Sequence, residues 1–289
     1  MKSTVDCLEC VIRQSLRAAR QATDDPDLQR AIVEATARHL PKLDLERSPA
    51  VNSLPPYEEA RRLSGIADPY RESKREQNAM AMAIEDDLRS LVHNESDPLM
   101  AALHLAAAGN VIDLGTTAAE DIDMHAAIER VMHERFAVDH TGAFRASLEQ
   151  CNDLLYLLDN AGEIVFDKIL IEELQKHTRV TAVAKAGPII NDVLLEDAEQ
   201  VGLTNVCEVI DNGGAYVGSP LDLIPDWFLE RMHAADVIIG KGQGNYETID
   251  EFPGDVFLIL KAKCPIVARH MGVALGQVGL ISTRLRSAT

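Results

Sequence analysis

Between residues 4 and 20 the apolar positions Val5, Leu8, Ile12, Leu16 and Ala19 recur three or four apart, the period of one face of an amphipathic helix. Similar spacing predicts helices over about residues 26–40 and 69–92. Asp68 is placed to cap the latter, and the proline-containing stretch 49–56 separates the two. The first hundred residues therefore read as predominantly helical.

Beyond residues 94–98 the texture changes. Short apolar runs at 111–114, 154–158, 180–184, 206–210, 237–239, 256–260 and 266–268 alternate with helical spacing at 164–177, 192–202 and 223–234. Unbroken apolar runs of this length suit strands buried on both faces of a parallel sheet, and right-handed crossovers lay helices on each face. The expectation is an α/β fold: a three-layer α/β/α, Rossmann-like domain over residues 99–289 with a mainly parallel sheet. A helical N-terminal region, residues 1–98, packs on it. No internal repeat or low-complexity tract interrupts this organisation.

In such folds ligands bind at the carboxyl ends of the strands. The segments that follow the predicted strands read Asp113-Leu114-Gly115, Asp159-Asn160-Ala161-Gly162-Glu163, Lys185-Ala186-Gly187-Pro188 leading to Asn191-Asp192, Asp211-Asn212-Gly213-Gly214, and Lys241-Gly242-Gln243-Gly244-Asn245-Tyr246. Converging on one rim, these carboxylates and amides suit a hard cation such as Mg²⁺ or Mn²⁺ better than zinc, and the lysines and glycines suit a phosphate. Asp, Asn and Gly also serve ordinary turns, and Lys185 and Lys241 taken singly fit solvated surface charges.

Other templates fail on spelling. Gly240, Gly242 and Gly244 lack the third glycine of the dinucleotide fingerprint, Gly240-Lys241 is followed by Gly242 instead of Ser or Thr, and no G-x-S-x-G or H-E-x-x-H occurs. Composition narrows the picture further. With 28 basic and 46 acidic residues the net charge is −18, which repels nucleic-acid backbones while leaving room for a small anionic ligand beside a local cation. No apolar run approaches the ~18 residues that span a bilayer, and Asp6 and Glu9 interrupt the stretch where a signal peptide needs apolar residues. The expected location is cytoplasmic. Of five cysteines only Cys7 and Cys10 make a motif, a lone CxxC that fits structural packing or a second metal or redox element.

Taken together, Cys7-Leu8-Glu9-Cys10 with Arg13-Gln14, Asp68-Pro69-Tyr70 with Lys74 and Asn78, Gly109-Asn110 with Asp113, Asp159-Asn160-Ala161-Gly162-Glu163, Asn191-Asp192 and the 241–246 segment resemble the metal-dependent damage-control phosphatases. This Armt-like family was first catalogued as a domain of unknown function, and the CxxC resembles its short, mainly prokaryotic branch. The resemblance implies a helical region joined to an α/β/α domain, and a divalent cation held by Asp159, Asn160 and Asp192. It also implies that Glu163, the 241–246 segment with Lys241, Gly242, Gly244 and Asn245, and Lys261 contact a small phosphorylated metabolite, with Asn110 also at the substrate.

The activity so implied is metal-dependent phosphomonoester hydrolysis, with Mg²⁺ or Mn²⁺ favoured and Co²⁺ or Ni²⁺ as further choices. Asp159, Asn160, Asp192 and Lys241 would carry the chemistry. The nucleophile is a water or the Asp159 carboxylate. Ala161 stands where an Asp-x-Asp phosphatase carries its second acid, which favours water. Two other readings stand beside this one: a protein-carboxylate methyltransferase, and a non-enzymatic metal or nucleotide-binding module. The sequence assigns no oligomeric state.

Overall fold

In the computed structural model of the chain, residues 1–111, 128, 132 and 134–286 are described. Seven helices come first: α1 Asp6–Ala22, α2 Pro26–Ala37, α3 Pro49–Asn52, α4 Leu54–Ser64, α5 Arg71–Met82, α6 Glu85–His93 and α7 Pro98–Val111. The strands are β1 Val138–Asp139, β2 Asp153–Leu157, β3 Arg179–Ala184, β4 Glu208–Asp211, β5 Val237–Lys241, β6 Val256–Lys261 and β7 Val278–Ser282. Around them run α8 Thr141–Leu148, α9 Glu163–Leu174, α10 Leu195–Gln200, α11 Asp226–Ala234, α12 Gly242–Ile249, α13 Pro265–Met271 and α14 Thr283–Arg286.

The sheet order is β1-β7-β6-β5-β2-β3-β4. Strands β6, β5, β2, β3 and β4 are mutually parallel, and β7 alone pairs antiparallel, with β6. From β2 the chain moves outward through β3 and β4, then crosses back to β5 on the other side of β2. The strand order thus reverses between β2 and β5, where a crevice opens at the carboxyl ends.

Alternation along each strand divides the core into two layers. Leu154 and Tyr156 of β2 join Val180, Ile239 and Phe257 beneath α7 and α9, whereas Leu155 and Leu157 join Ile238 and Leu258 beneath α11, α12 and α13. Both faces are covered, which is why these strands carry unbroken apolar runs. A third cluster, Ala18, Ala19, Ile32, Tyr57 and Ala60, holds α1, α2 and α4 together and includes Ile189 from the loop after β3. Among the described residues no helix is long and apolar enough to cross a membrane.

Several elements differ from the expectations. Residues 49–56 are helical, because Pro49 and Pro55 sit in the first turns of α3 and α4, where a missing N–H costs nothing. The single helix over 69–92 is two, broken at Ala83 and Ile84, and Asp68 accepts the Tyr70 N–H at 3.0 Å while Tyr70 takes the cap position. Residues 266–268 lie in α13, where Pro265 opens the helix and Cys264 Sγ accepts from the Val267 N–H at 3.4 Å. The strand next to β6 is instead β7, whose apolar run is interrupted by Gly279. The strand over 206–210 is shifted to Glu208–Asp211 by a short 3₁₀ turn at Leu203–Asn205. Of the strand over 111–114, Val111 closes α7 and the remainder, Asp113 included, lies outside the described residues.

Candidate active site

Strand β2 ends at Leu157, two residues before Asp159, and its neighbour β5 ends at Lys241. Gly242 opens α12 at φ +77°, a conformation favouring glycine. A Cβ there would fall 1.8 Å from Asp159 Oδ2, so the absent side chain is what lets this carboxylate lie against the start of α12.

The loop after β3 is stitched to the loop after β2. Asn160 and Asp192 form an isolated antiparallel bridge, the Ala161 N–H donates to the Asn191 carbonyl at 2.8 Å, and the Val193 N–H donates to the Asp159 carbonyl at 2.9 Å. Two carboxylates and an amide from separate crossovers are thereby fixed at one place. The Asn160 amide nitrogen donates to Asp159 Oδ2 at 2.8 Å and to Glu163 Oε1 at 3.0 Å, which leaves its side-chain oxygen free of these two bonds.

A second tier supports this group. Asn110, at the end of α7, donates to Asp159 Oδ2 at 3.2 Å and to Glu163 Oε1 at 2.9 Å, while its oxygen accepts the Lys261 N–H at 3.0 Å. Lys241 is wholly buried, its ammonium 2.5 Å from Asp167 Oδ1 and 3.6 Å from Glu163 Oε2. Tyr156 donates its hydroxyl to the same Asp167 oxygen at 2.8 Å. Asn245, also buried, donates to the carbonyls of Lys241 at 2.8 Å and Leu158 at 3.3 Å, clamping β5 to β2. On the far side, Asn78 of α5 accepts the Gly162 N–H at 2.8 Å. The N-terminal helices therefore hold the Asp159-to-Glu163 turn directly.

Asp159, Asn160 and Asp192 open onto a cavity of about 470 Å³. Its walls come from α1, with Cys7, Cys10 and Arg13; from α12, with Gln243, Gly244 and Glu247; and from the segment Lys263 to Ile266 with Arg269. The electrostatics are those of crowded acids. Burial, with Glu163 and Asp192 nearby, pushes the Asp159 carboxyl well up. Burial likewise raises Asp192 to about 6 against the opposing Lys185 ammonium. Lys185 is itself lowered by burial; it lies 3.7 Å from Asp192 and donates to the Gly218 carbonyl at 2.5 Å. Lys241 is held up by Asp167 and Glu163, which outweigh its burial.

These features fit a divalent cation. Asp192 Oδ2 is buried without a hydrogen-bond partner, two acids repel across the site, and every donor is a hard oxygen. The set is two carboxylates completed by an amide oxygen; among the described residues no group of three or more His, Cys, Asp or Glu side chains is gathered to hold a metal.

The expected site residues thus fall into two sets. Asp159, Asn160, Asp192, Gly244, Cys7 and Cys10 line the cavity. Asn110, Glu163, Lys241 and Asn245 are buried behind it, and Lys261 contributes a backbone N–H to Asn110. Neither Lys185 nor Lys241 is a solvated surface charge, since both are at most 5% exposed. The 211–214 segment supplies no cavity wall; Asn212 accepts the Ala186 and Gly214 N–H groups at 3.3 and 3.2 Å. The cations that do face the cavity, Lys263, Arg13 and Arg269, are not singled out from the sequence as ligands of a phosphate, nor is Glu247, whereas Gln243 lies within the 241–246 segment expected at the substrate. Gln243 and Glu247 stand four apart on one face of α12, a spacing hidden as long as that segment reads as a loop.

Residues 3–278 match the damage-control phosphatase ARMT1-like domain. The chain is 35% identical over 280 residues to the damage-control phosphatase PH1575 of Pyrococcus horikoshii, covering 96% of each. It is 29% identical over 286 residues to a damage-control phosphatase of Archaeoglobus fulgidus, covering 96% of this chain and 98% of that one. The crystal structure of a DUF89 family protein from Pyrococcus horikoshii superposes with a TM-score of 0.90 at 33% identity, over 98% of this chain and 99% of that chain. A match of this extent, reaching from the first helix through the sheet and its crevice, makes the chain a member of the ARMT1-like damage-control phosphatase family.

Proposed function

We propose that the protein is a divalent-metal-dependent phosphatase of small phosphorylated metabolites, with Asp159, Asn160 and Asp192 holding the ion. The observation that carries this is the Asn160 to Asp192 bridge, which sets two acids and an amide at the floor of a cavity of about 470 Å³. That volume lies within the range of small-molecule sites. Mg²⁺ or Mn²⁺ suits the oxygen donors best, with Co²⁺ and Ni²⁺ as alternatives. When bound, such an ion supplies charge neutralisation at the phosphoryl oxygens and orients the attacking group, here a water.

The chain's own residues do the rest. Lys263, Arg13 and Arg269 bring positive charge to the cavity wall, and Gln243 adds an amide that bonds both Glu247 Oε1 at 2.8 Å and the Lys263 N–H at 3.1 Å. A phosphomonoester carries about two negative charges at neutral pH, so these groups bind and orient it over the acidic floor. Lys241, Glu163 and Asn110 position Asn160 and Asp159 from behind without touching the substrate. Cys7, Cys10, Cys151, Cys207 and Cys264 are free thiols, which accords with action in the cytoplasm.

The test is phosphate release by metal-stripped protein from p-nitrophenyl phosphate and a panel of phosphometabolites, with each metal restored separately. Calorimetric titration of Mn²⁺ into wild type and Asp159→Ala runs alongside. Metal-restored turnover, with both turnover and Mn²⁺ binding lost in the variant, is the expected result. Full activity or undiminished Mn²⁺ binding in Asp159→Ala would refute the assignment.

A further inference from the structure

Cys7 and Cys10 lie in the opening turns of α1, on the wall of the cavity whose floor is Asp159 and Asp192. Three residues apart on a helix, their Cα atoms are about 5 Å from each other, within the span of a disulfide. Both side chains are half-buried, so a small oxidant entering the cavity reaches them.

Their sulfurs are not packed as inert apolar atoms. Cys10 Sγ accepts from Gln14 Nε2 at 3.2 Å and lies near the Arg13 guanidinium, whose pKa it raises. Cys7 Sγ accepts the Thr4 N–H at 3.4 Å. Burial pushes the thiols of Cys151, Cys207 and Cys264 up, with Cys207 at about 11. A metal is the poorer occupant for the pair, because no third His, Cys, Asp or Glu is gathered with them among the described residues.

We propose that Cys7 and Cys10 form a reversible dithiol–disulfide pair that opens into the substrate cavity and alters its hold on an anionic ligand. The oxidant is a small-molecule disulfide of the glutathione class. The Cys10 thiolate attacks one sulfur of that disulfide, breaking its S–S bond and expelling one thiol, which takes the Cys10 proton. The Cys7 thiolate then attacks Cys10 Sγ in the mixed disulfide, forming the Cys7–Cys10 bond and expelling the second thiol, which takes the Cys7 proton. Two electrons pass from the cysteine pair to the external disulfide. In the product, Cys10 Sγ is bonded to Cys7 and its pull on the nearby Arg13 is lost, so the guanidinium, 4.0 Å from Glu9, is held less by the α1 wall and more fully by an anion in the cavity. The effect falls on substrate binding, since the pair belongs to the wall formed by α1 and not to the loops after β2 and β3. This second part rests on the phosphatase reading; the first does not.

The experiment exposes reduced full-length protein to oxidised glutathione, then blocks remaining thiols and maps them by mass spectrometry. The expected result is loss of two hydrogens with Cys7 and Cys10 joined, reversal by dithiothreitol, the same product in Cys264→Ser, and arrest at a glutathione adduct on Cys10 in Cys7→Ser. Free, blockable Cys7 and Cys10 after oxidation would overturn the pair, as would stoichiometric zinc in the wild type that disappears in Cys7→Ser. KM for p-nitrophenyl phosphate with Mn²⁺ is then compared between the two forms. A KM that differs at least about threefold between the two forms, with kcat unchanged, is expected. Equal KM values would overturn the link to the cavity, whereas absence of turnover in both forms would refute the phosphatase reading and leave the thiol mapping to decide the pair.

Discussion

The Asp159 carboxylate occupies the place where a side chain on Gly242 would stand, with Oδ2 1.8 Å from that Cβ position. One strand end is therefore shaped around the acid of its neighbour. Gly242→Ala must displace Asp159 and also strain a backbone at φ +77°, at a cost of about 1 to 3 kcal/mol. The expected outcome is a folded protein with a lower melting temperature and Mn²⁺ affinity reduced at least about tenfold, read by calorimetry. Wild-type affinity in this variant would mean that the ion does not depend on Asp159 at its observed place.

Lys241, expected from the sequence at the phosphate, and Lys263, to which the sequence assigns no role, sit in opposite surroundings. Lys241 is sealed against Asp167 and Glu163, so Lys241→Met leaves a buried carboxylate without its cation and should cost about 3 to 5 kcal/mol in chemical denaturation. Lys263 is exposed at the cavity wall. Lys263→Ala should leave stability unchanged and raise KM for phosphoesters about tenfold, the worth of one charge-assisted hydrogen bond of about 1.5 kcal/mol. The opposite pattern, with Lys241→Met stable and impaired only in KM, would return Lys241 to the phosphate.

What the chain discloses about itself follows from how far each signal reaches. Runs such as Leu154 to Leu158 and Val256 to Leu260 announce strands because both faces of the sheet are covered, and the acid and amide after the first run stand where an open sheet binds ligands. Lys241 and Glu163 carry charges that look like site chemistry in one dimension. Their burial arises from Asp167 and Asn110, partners 74 and 53 residues away, and no local pattern encodes that. The pairing of Gln243 with Glu247 is hidden for a different reason: glycines at 242 and 244 mimic a loop, although here they open a helix that must pass close to Asp159 and to the backbone of Gly218. Cys264 and Pro265 likewise look like the edge of a strand until the proline is seen to start α13.

The tether between Asn78 and Gly162 makes the N-terminal helices part of the site. Asn78 is wholly buried; its oxygen accepts the Gly162 N–H at 2.8 Å, and its nitrogen donates to Gln200 Oε1 at 2.9 Å. Asn78→Ala leaves that N–H unpaired in the interior, a cost of about 1 to 3 kcal/mol. It should also loosen the turn carrying Asp159, Asn160 and Glu163, so Mn²⁺ affinity should fall together with the melting temperature. A lower melting temperature with unaltered Mn²⁺ affinity would confine the tether to stability.

Glu247 gives the molecule a pH dependence with a definite sign. Burial raises its carboxyl from 4.5 to about 7, only partly offset by the Gln243 amide. Between these values the folded state binds a proton that the unfolded state has released, so stability falls as pH rises through this window. Below about pH 4.5 the group is neutral in both states and contributes nothing. Above about pH 7 the full penalty is present, roughly 3 kcal/mol for a shift of this size. Glu247→Gln removes the ionisation while keeping the shape, so its melting temperature should match wild type near pH 4.5 and exceed it increasingly up to pH 7.5. A constant difference between the two proteins across that range, followed by calorimetry, would show that Glu247 ionises as readily in the fold as out of it.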